Sequence, residues 1–528
     1  LGYYPFWALD KVREHQFVSY SAQKHLDPVC YLGTFQSFSK DRKHQFTTDD
    51  YFMDLMDRNG VDISALKAMY SLTPMSPESV YKDFAKYHID YDYSSLDFDK
   101  LESGGRWYVE WVKKTTDRRP EVLDYDDVYI MLDKTKSATA LFNQFFSNKN
   151  DLFESQDFLD SLVSFLYSYC LDQDCKFLFL AIQKEEIRPT DKIKDLKIRS
   201  IIVGSIYLLV IGHMLFGDLD DILIKNWFTY RSGIGMSFFD GDYHKKISEL
   251  IDGDKSKFFF FSDIPKYDST QMGYLHILQT RAVNVIYGDR YCDFYHLLGS
   301  LGPRAQQLGY PNFQVDTFLV RQCLSEDKQY AMVMLPAGEI YYTKRGEKSG
   351  ADRTSAANTA DYKIIEFAGA SDHFDTLSDY IAAGYKNDHT GDDNIGVGPD
   401  SLVNDSILEI WRTLGVTPEG KQVQSITECD YLSSTPVLVE FDSGLEMWMP
   451  KVNTAKVFAG LSFKMRRRDP ESDLARLMST RLLSQWSDDL PLAKKLLDDF
   501  LKENPNMRRH PMLKSDYECI CSYIGKFE

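Results

Sequence analysis

Apolar and polar residues follow one another in short blocks of changing period, which predicts many brief elements of both kinds. Residues 100–235 alternate helical patterns with loops. The most apolar stretch, residues 201–216, contains Gly204, Ser205 and His213. It is shorter than the roughly 20 residues that span a bilayer, so it reads as a buried strand or helix with His213 as a satisfied core histidine. Phe258-Phe259-Phe260-Phe261 reads as a buried strand, being short, apolar and aromatic. Residues 283–322 look helical at first and loop-like around Gly302-Pro303 and Gly309-Tyr310-Pro311. Residues 331–335 and 340–343 form a hairpin pattern around Pro336-Ala337-Gly338. Helices are predicted over 355–367 and 400–414, the second stopped by Gly415. A strand over 437–441 precedes helices over 472–486 and 490–501, with Ser472 and Asp473 as caps of the first. The interleaving predicts a central α+β core, a helical N-terminal region and a mostly helical C-terminal one.

Composition narrows the class. At 528 residues the chain holds roughly three or four domains or subdomains. With 43% hydrophobic and 14% aromatic residues it buries large cores and is not disordered. A net charge of −18 repels RNA over most of the exterior, so any RNA must run in a channel where cations are concentrated. The close cysteine pairs, Cys170/Cys175 and Cys519/Cys521, lack the spacing of a zinc site, and scattered thiols fit a reducing compartment. Leu1-Gly2-Tyr3-Tyr4-Pro5 lacks the basic start and apolar run of a secretory signal, and the start at Leu reads as trimming or processing.

Four signals carry chemistry. Asp263, after the phenylalanine run, and Asp392-Asp393, in a turn opened by Gly391, place carboxylates where a strand end and a facing turn meet. Paired carboxylates of this kind hold Mg²⁺ for phosphoryl transfer. The plainer reading is ordinary turn chemistry, and the acidic 217–221 segment shows how readily such turns arise. Asp268 with Asn358 can read a ribose 2′-hydroxyl, which both donates and accepts. Ser349-Gly350 is a flexible turn into a helix on which Thr354 and Asn358 share a face. The plainer reading there is a capped helix. The stretch from Lys184 through Arg188 to Lys197 and Arg199 can line a phosphate channel, Lys197 and Arg199 alternating as on one face of a strand. Its plainer reading is a solvated loop with local ion pairs.

In this order the four signals resemble the fingertip and palm motifs of RNA-virus RNA-dependent RNA polymerases, over residues 184–393. The resemblance implies a closed right hand: fingers, palm and thumb, with a palm of antiparallel sheet backed by helices. An N-terminal segment over 1–100 would bridge fingers and thumb. Fingers would occupy 101–250 with an insertion at 286–330, the palm 251–285 and 331–435, and the thumb 436–528. Asp263 and Asp392, assisted by Asp393, would hold two Mg²⁺ or Mn²⁺ ions. Asp268 and Asn358 would read the ribose. Lys184, Arg188, Lys197 and Arg199, with Ser349, Gly350 and Thr354, would bind the nucleotide. Lys421 would protonate pyrophosphate. Tyr431-Leu432-Ser433 looks like a primer-grip turn, so Tyr431 and Ser433 would touch RNA. Ser103-Gly104-Gly105 or Thr135-Lys136-Ser137 would admit the template.

Arg466 and Arg467, with Arg476 and Arg481 downstream, read as thumb contacts to RNA or as a solvated charge run. Asn59-Gly60-Val61-Asp62-Ile63-Ser64 resembles a stretch of picobirnavirus polymerases, which implies a small double-stranded RNA virus. It also implies a monomer acting on RNA and ribonucleoside triphosphates in the virion interior and host cytoplasm, off the membrane, with capsid protein as a further partner. One departure stands out. The residues before Gly391, Lys386-Asn387-Asp388-His389-Thr390, are polar where the family has an apolar strand, so the hairpin must be short or differently supported. Two rivals remain: a non-catalytic RNA-binding or packaging protein with a polymerase-like shell, and a reverse transcriptase-like enzyme, which Asp268 and Asn358 disfavour.

Overall fold

The structure is a computed structural model. It describes residues 26–27, 30–34, 46–74, 76–90, 92–139, 142, 145–172, 177–251, 258–265, 267–350, 353–465 and 469–525. The chain start, Tyr91, Cys175 and the expected RNA contacts Arg466 and Arg467 lie outside the described residues. The protein is mixed α and β with several small sheets. No described helix is long and apolar enough to cross a membrane.

The N-terminal third opens with strands β1 (Tyr31–Thr34) and β2 (Phe46–Thr48), helices α1 (Asp50–Arg58) and α2 (Ile63–Met69), and β3 (Tyr70–Leu72). Helix α3 (Phe98–Thr115) follows, its first turn capped by Asp97, which accepts from the Lys100 N–H. Then come β4 (Leu178–Gln183), β5 (Ile187–Pro189), the short α4 (Thr190–Lys194), β6 (Ser200–Val203) and α5 (Ile206–Lys225). The apolar run of 201–216 is therefore a strand and a helix in succession, broken at Gly204-Ser205, where Ser205 caps α5. His213 is half-buried, its Nδ1 on the Leu209 carbonyl at 3.0 Å.

The middle third holds α6 (Asp242–Ile251), β7 (Phe258–Asp263), α7 (Gly273–Tyr287), the hairpin β8 (Met332–Met334) and β9 (Glu339–Tyr342), and α8 (Thr354–Ala370). Residues 302–307, expected as loop, form a helical turn with Pro303 in its first turn, where a missing N–H costs nothing. Next are β10 (Lys386–Thr390), β11 (Asp393–Gly398), α9 (Leu402–Thr413) and β12 (Glu419–Val423). The C-terminal part comprises the ribbon β13 (Ser434–Glu440) and β14 (Glu446–Val452), α10 (Thr454–Leu461), β15 (Phe463–Met465), α11 (Pro470–Leu483), α12 (Leu490–Glu503) and α13 (Asp516–Ile524). The cap of α11 is Asp469, not Ser472 or Asp473: its carboxylate accepts from the Ser472 N–H, and Asp473 is buried beside Arg476.

Three bodies of packing result. A five-stranded sheet runs β1-β9-β8-β4-β6. A four-stranded antiparallel sheet runs β10-β11-β7-β12, with the phenylalanine strand inside it. One face of this sheet, carrying Phe259, Ile395 and Val397, packs on Tyr243, Ile247 and Leu250 of α6. The other packs on α8, where the Tyr362 hydroxyl meets Ser262 Oγ at 2.9 Å. Behind α8 lies α3, and Gly104 is the reason they approach so closely: a Cβ there would sit 2.2 Å from the Ile364 carbonyl oxygen. Ser103-Gly104-Gly105 is thus a helix contact within α3 and no template-admitting loop. Thr135-Lys136-Ser137 does form an exposed turn.

The third body is helical. Phe52 and Leu55 of α1 and Leu66 of α2 share a core with Leu474, Leu477, Leu496 and Phe500. The expected segment 1–100 is therefore divided. β1 joins the five-stranded sheet through Tyr31–Tyr341, while β2 pairs with β15 through Phe46–Met465. Helix α3 runs across the expected boundary at residue 100, and β8–β9 belong to the five-stranded sheet rather than to that of β7.

Candidate carboxylate site

Strand register brings the acids together. Asn394 faces Ser262 across β11 and β7, and continuing that register sets Asp393 beside Asp263. On the other side Glu419 of β12 faces Asp263 directly. Asp392 occupies the β10–β11 turn, where Gly391 takes φ +64° and its N–H donates to Thr359 Oγ1 at 3.0 Å. The Asp263 and Asp392 carboxyls are close enough to act on each other. Both keep solvent-accessible faces.

Crowding nevertheless disfavours their charge. Burial, then the nearby Glu419, raises Asp263. Burial and the charges of Asp263 and Asp268 push Asp392 up to about 6, and burial with Asp392, Asp263 and Asp430 pushes Asp393 up to about 7. Among the described residues no three His, Cys, Asp or Glu side chains form a ready-made metal site. The donor set still fits a hard divalent cation: oxygen-only ligands whose mutual repulsion a cation relieves.

A pH dependence follows. A carboxylate with a raised native pKa keeps its proton where the unfolded chain has lost it. Its stabilising contribution is complete below pH 3.8 and is lost as pH rises through 6 to 7. An ion bound there would have to displace those protons, so Mn²⁺ affinity is expected to rise by about tenfold or more from pH 5.5 to 8. Calorimetric titration at the two pH values checks this; equal affinities would mean these acids do not bind the ion.

The pair expected to read a sugar is in contact. Asn358 Nδ2 donates to Asp268 Oδ1 at 2.9 Å, Gln271 Nε2 donates to Asn358 Oδ1 at 3.2 Å, and the Tyr267 hydroxyl donates to the Asn358 carbonyl at 2.6 Å. Asn358 and Thr359 are consecutive on α8, so one helix turn holds both this pair and the Gly391 turn.

Two cations of the basic stretch act on the acids. Charges of Lys192 and Arg199 act on Asp263, and Arg199 also on Asp392. Lys192, on α4, was not singled out from the sequence. Lys197 and Arg199 are not on a strand; they precede β6 in an irregular segment, and Lys197 pairs locally with Asp195 at 3.1 Å. Lys184 and Arg188 approach Glu186 instead.

Ser349, Gly350 and Thr354 do other work. Ser349 Oγ donates to the Ser200 carbonyl at 3.3 Å, and the Gly350 N–H donates to the Ile202 carbonyl at 3.1 Å. A Cβ on Gly350 would lie 2.6 Å from that oxygen, so only glycine permits the approach. Thr354 Oγ1 donates to the Lys348 carbonyl at 2.9 Å. Ser349 and Thr354 line a cavity of about 420 Å³ with Arg353, His213 and Asp220, which contains none of the three carboxylates.

The polar strand before Gly391 is five residues long and supported from both sides. Asn387, Asp388 and His389 are all buried. Glu366 of α8 accepts from Lys363 Nζ at 2.9 Å, His389 Nε2 at 2.8 Å and the Tyr380 hydroxyl at 2.6 Å. Burial alone would raise the Glu366 carboxyl, yet these partners hold it well below its ordinary value. Burial lowers His389 to about 4, so it is neutral near pH 7. On the opposite face Asp388 pairs with Lys246 of α6.

Three expected RNA contacts are corrected. Tyr431 is buried, its hydroxyl 2.7 Å from Thr390 Oγ1, and cannot touch a strand from there. The turn itself forms: Leu432 and Ser433 both take positive φ, and the Leu432 N–H hydrogen-bonds to the Asp393 carboxylate. Arg476 is spent on Asp49 at 2.6 Å and on the Leu461 and Phe463 carbonyls, and Arg481 on Asp516 and the Lys514 carbonyl. Ser433 is exposed, and Lys421 is exposed on β12 opposite Phe261, two residues along from Glu419. Glu419, set beside Asp263 by strand pairing, and Asp430, in the loop before Tyr431, are further acids that act on the site; no local motif marks them.

Comparison with models of known protein families finds none that matches this chain, and comparison with curated protein sequences likewise finds no match.

Proposed function

We propose that the chain is an RNA-dependent RNA polymerase that joins ribonucleoside triphosphates on an RNA template. One observation carries the reading: Asp263 and the Asp392 turn meet at the strand end, and the same turn of α8 that holds Gly391 presents Asn358 to Asp268. So read, the carboxylates, the Asp268–Asn358 pair and the cations of Lys192 and Arg199 serve one site. In this reading the β7 sheet is the palm, the five-stranded sheet belongs to the fingers, and the C-terminal helices form the thumb. The residues around β1 and β2 bridge the last two.

Asp263, Asp392 and Asp393 would hold the divalent ions. Bound Mg²⁺ or Mn²⁺ supplies Lewis-acid stabilisation of charge at the attacking 3′-oxygen and the leaving pyrophosphate. The chain's own residues do the rest. Asp268 and Asn358 fix the ribose by its 2′-hydroxyl. Arg199 and Lys192 set the polyphosphate against the carboxylates and offset its charge. Lys421 is the candidate to deliver a proton to pyrophosphate.

Extension of a single-stranded RNA template by the purified protein, with labelled ribonucleotides and Mg²⁺ or Mn²⁺, tests this. Templated product dependent on the ion is expected. RNA binding without product, across templates and both ions, would favour the packaging-protein reading. Efficient use of deoxynucleotides would favour the reverse transcriptase.

A further inference from the structure

Glu186 stands among three cations. Its Oε1 lies 3.4 Å from Arg188 Nη1 and 3.6 Å from Arg199 Nε, and its Oε2 3.5 Å from Lys184 Nζ. These are ion-pair separations, all longer than a good hydrogen bond. Oε1 is buried and accepts no hydrogen bond. The placement is not loose, because the backbone is fastened. The Glu186 N–H donates to Thr73 Oγ1 at 3.1 Å, and the Thr73 N–H donates back to the Glu186 carbonyl at 3.0 Å. Thr73 Oγ1 in turn donates to the Lys184 carbonyl at 3.2 Å, and Thr73 is fully buried. The strand pair β3–β5 continues this fastening through Ser71 and Arg188. One carboxylate is thus held at nearly equal distance from three positive groups, saturating none of them.

We propose that Glu186 is a built-in counter-ion of the polyphosphate cradle, a positioning residue that keeps Lys184, Arg188 and Arg199 together and yields them to phosphate oxygens. The inference rests on the phosphate role given to Arg199 under the proposed function and extends it to Lys184 and Arg188, which share Glu186 with it. Without a central anion, three like charges separate into solvent. A carboxylate bonded tightly to them would consume the donors that phosphate needs. At 3.4–3.6 Å it neutralises their repulsion and leaves their N–H groups free to turn toward a ligand. It also repels the bound anion, which favours departure of pyrophosphate after each addition.

The test uses full-length protein, Glu186→Gln and Glu186→Asp, with inorganic pyrophosphate and tripolyphosphate as calorimetric probes and steady-state extension alongside. Glu186→Gln keeps the shape and removes the charge. It is expected to bind both anions about threefold to tenfold more tightly at low salt, the gain shrinking as salt screens it. KM for nucleotide and kcat are expected to fall together, because release of pyrophosphate slows. Glu186→Asp, which keeps the charge, should return both toward wild type. A purely structural role predicts the reverse, weaker binding and a higher KM. That result, or unchanged binding by Glu186→Gln in a protein whose wild type binds tripolyphosphate, overturns the inference alone. A wild type that binds neither anion overturns the reading of the basic segment and this inference with it.

Discussion

Replacing Asp392 by asparagine is expected to abolish nucleotide incorporation, by on the order of 10³-fold or more, without unfolding the protein. The substitution is nearly isosteric, and the turn that carries it is held by Gly391 at φ +64° and by the Thr359 hydroxyl, not by the Asp392 side chain. The lost charge matters to a cation and to the developing charge of a transferring phosphoryl group. It does not help the fold. Burial and Asp263 hold this carboxyl near 6, so its ionisation at pH 8 is a cost to the native state. The metal-free variant should therefore melt no lower than wild type at pH 8, while its Mn²⁺-induced stabilisation disappears. Single-turnover extension and melting curves with and without Mn²⁺ decide the matter. Incorporation within tenfold of wild type would remove Asp392 from the chemistry.

The second large effect concerns sugar choice. Truncating Asp268 to alanine is expected to lower the preference for ATP over dATP by about 10²-fold, read as the ratio of kcat/KM values. A site built to hydrogen-bond a hydroxyl rejects the analogue lacking it because its own polar groups are left unpaired. Here Asn358 Nδ2 donates to Asp268 while Gln271 fixes the amide from the other side. Removing Asp268 leaves that donor no defined acceptor, and the 2′-hydroxyl loses half of its reader. Asn358→Ala should act in the same direction. The double variant should fall short of the product of the two, since they form one contact. Unchanged selectivity in both single variants would place the pair outside the nucleotide site.

Local chemistry was legible where one stretch of sequence sufficed. The phenylalanine run predicts β7, and Gly391-Asp392-Asp393 a turn with acids at its tip, because adjacent residues settle each. The Asp268–Asn358 contact was also foreseeable, from the expectation of an acid and an amide paired to read a ribose hydroxyl. The β10 strand was harder. Lys386, Asn387, Asp388 and His389 carry no strand pattern, and the burial of the last three depends on Lys246 and Glu366, which no periodicity connects to them. Arg476 misled for the same reason: next to a cationic cluster it reads as an RNA contact, but Asp49, far upstream, claims it. Glu419 required the sheet register, Asp430 the path of the loop before Tyr431, and Tyr431 required knowing which side of its turn faces the core.

The stitching of β1 and β2 to opposite bodies also constrains how the protein is made. Tyr31 and Phe46 leave the ribosome well before their partners Tyr341 and Met465 are translated. Until then these two strands present unsatisfied edges, which in a nascent chain invite aggregation or strand exchange with a neighbour. The bridge can close only when synthesis has passed Met465, so a ribosome stalled earlier yields an open intermediate exposed to proteases and chaperones.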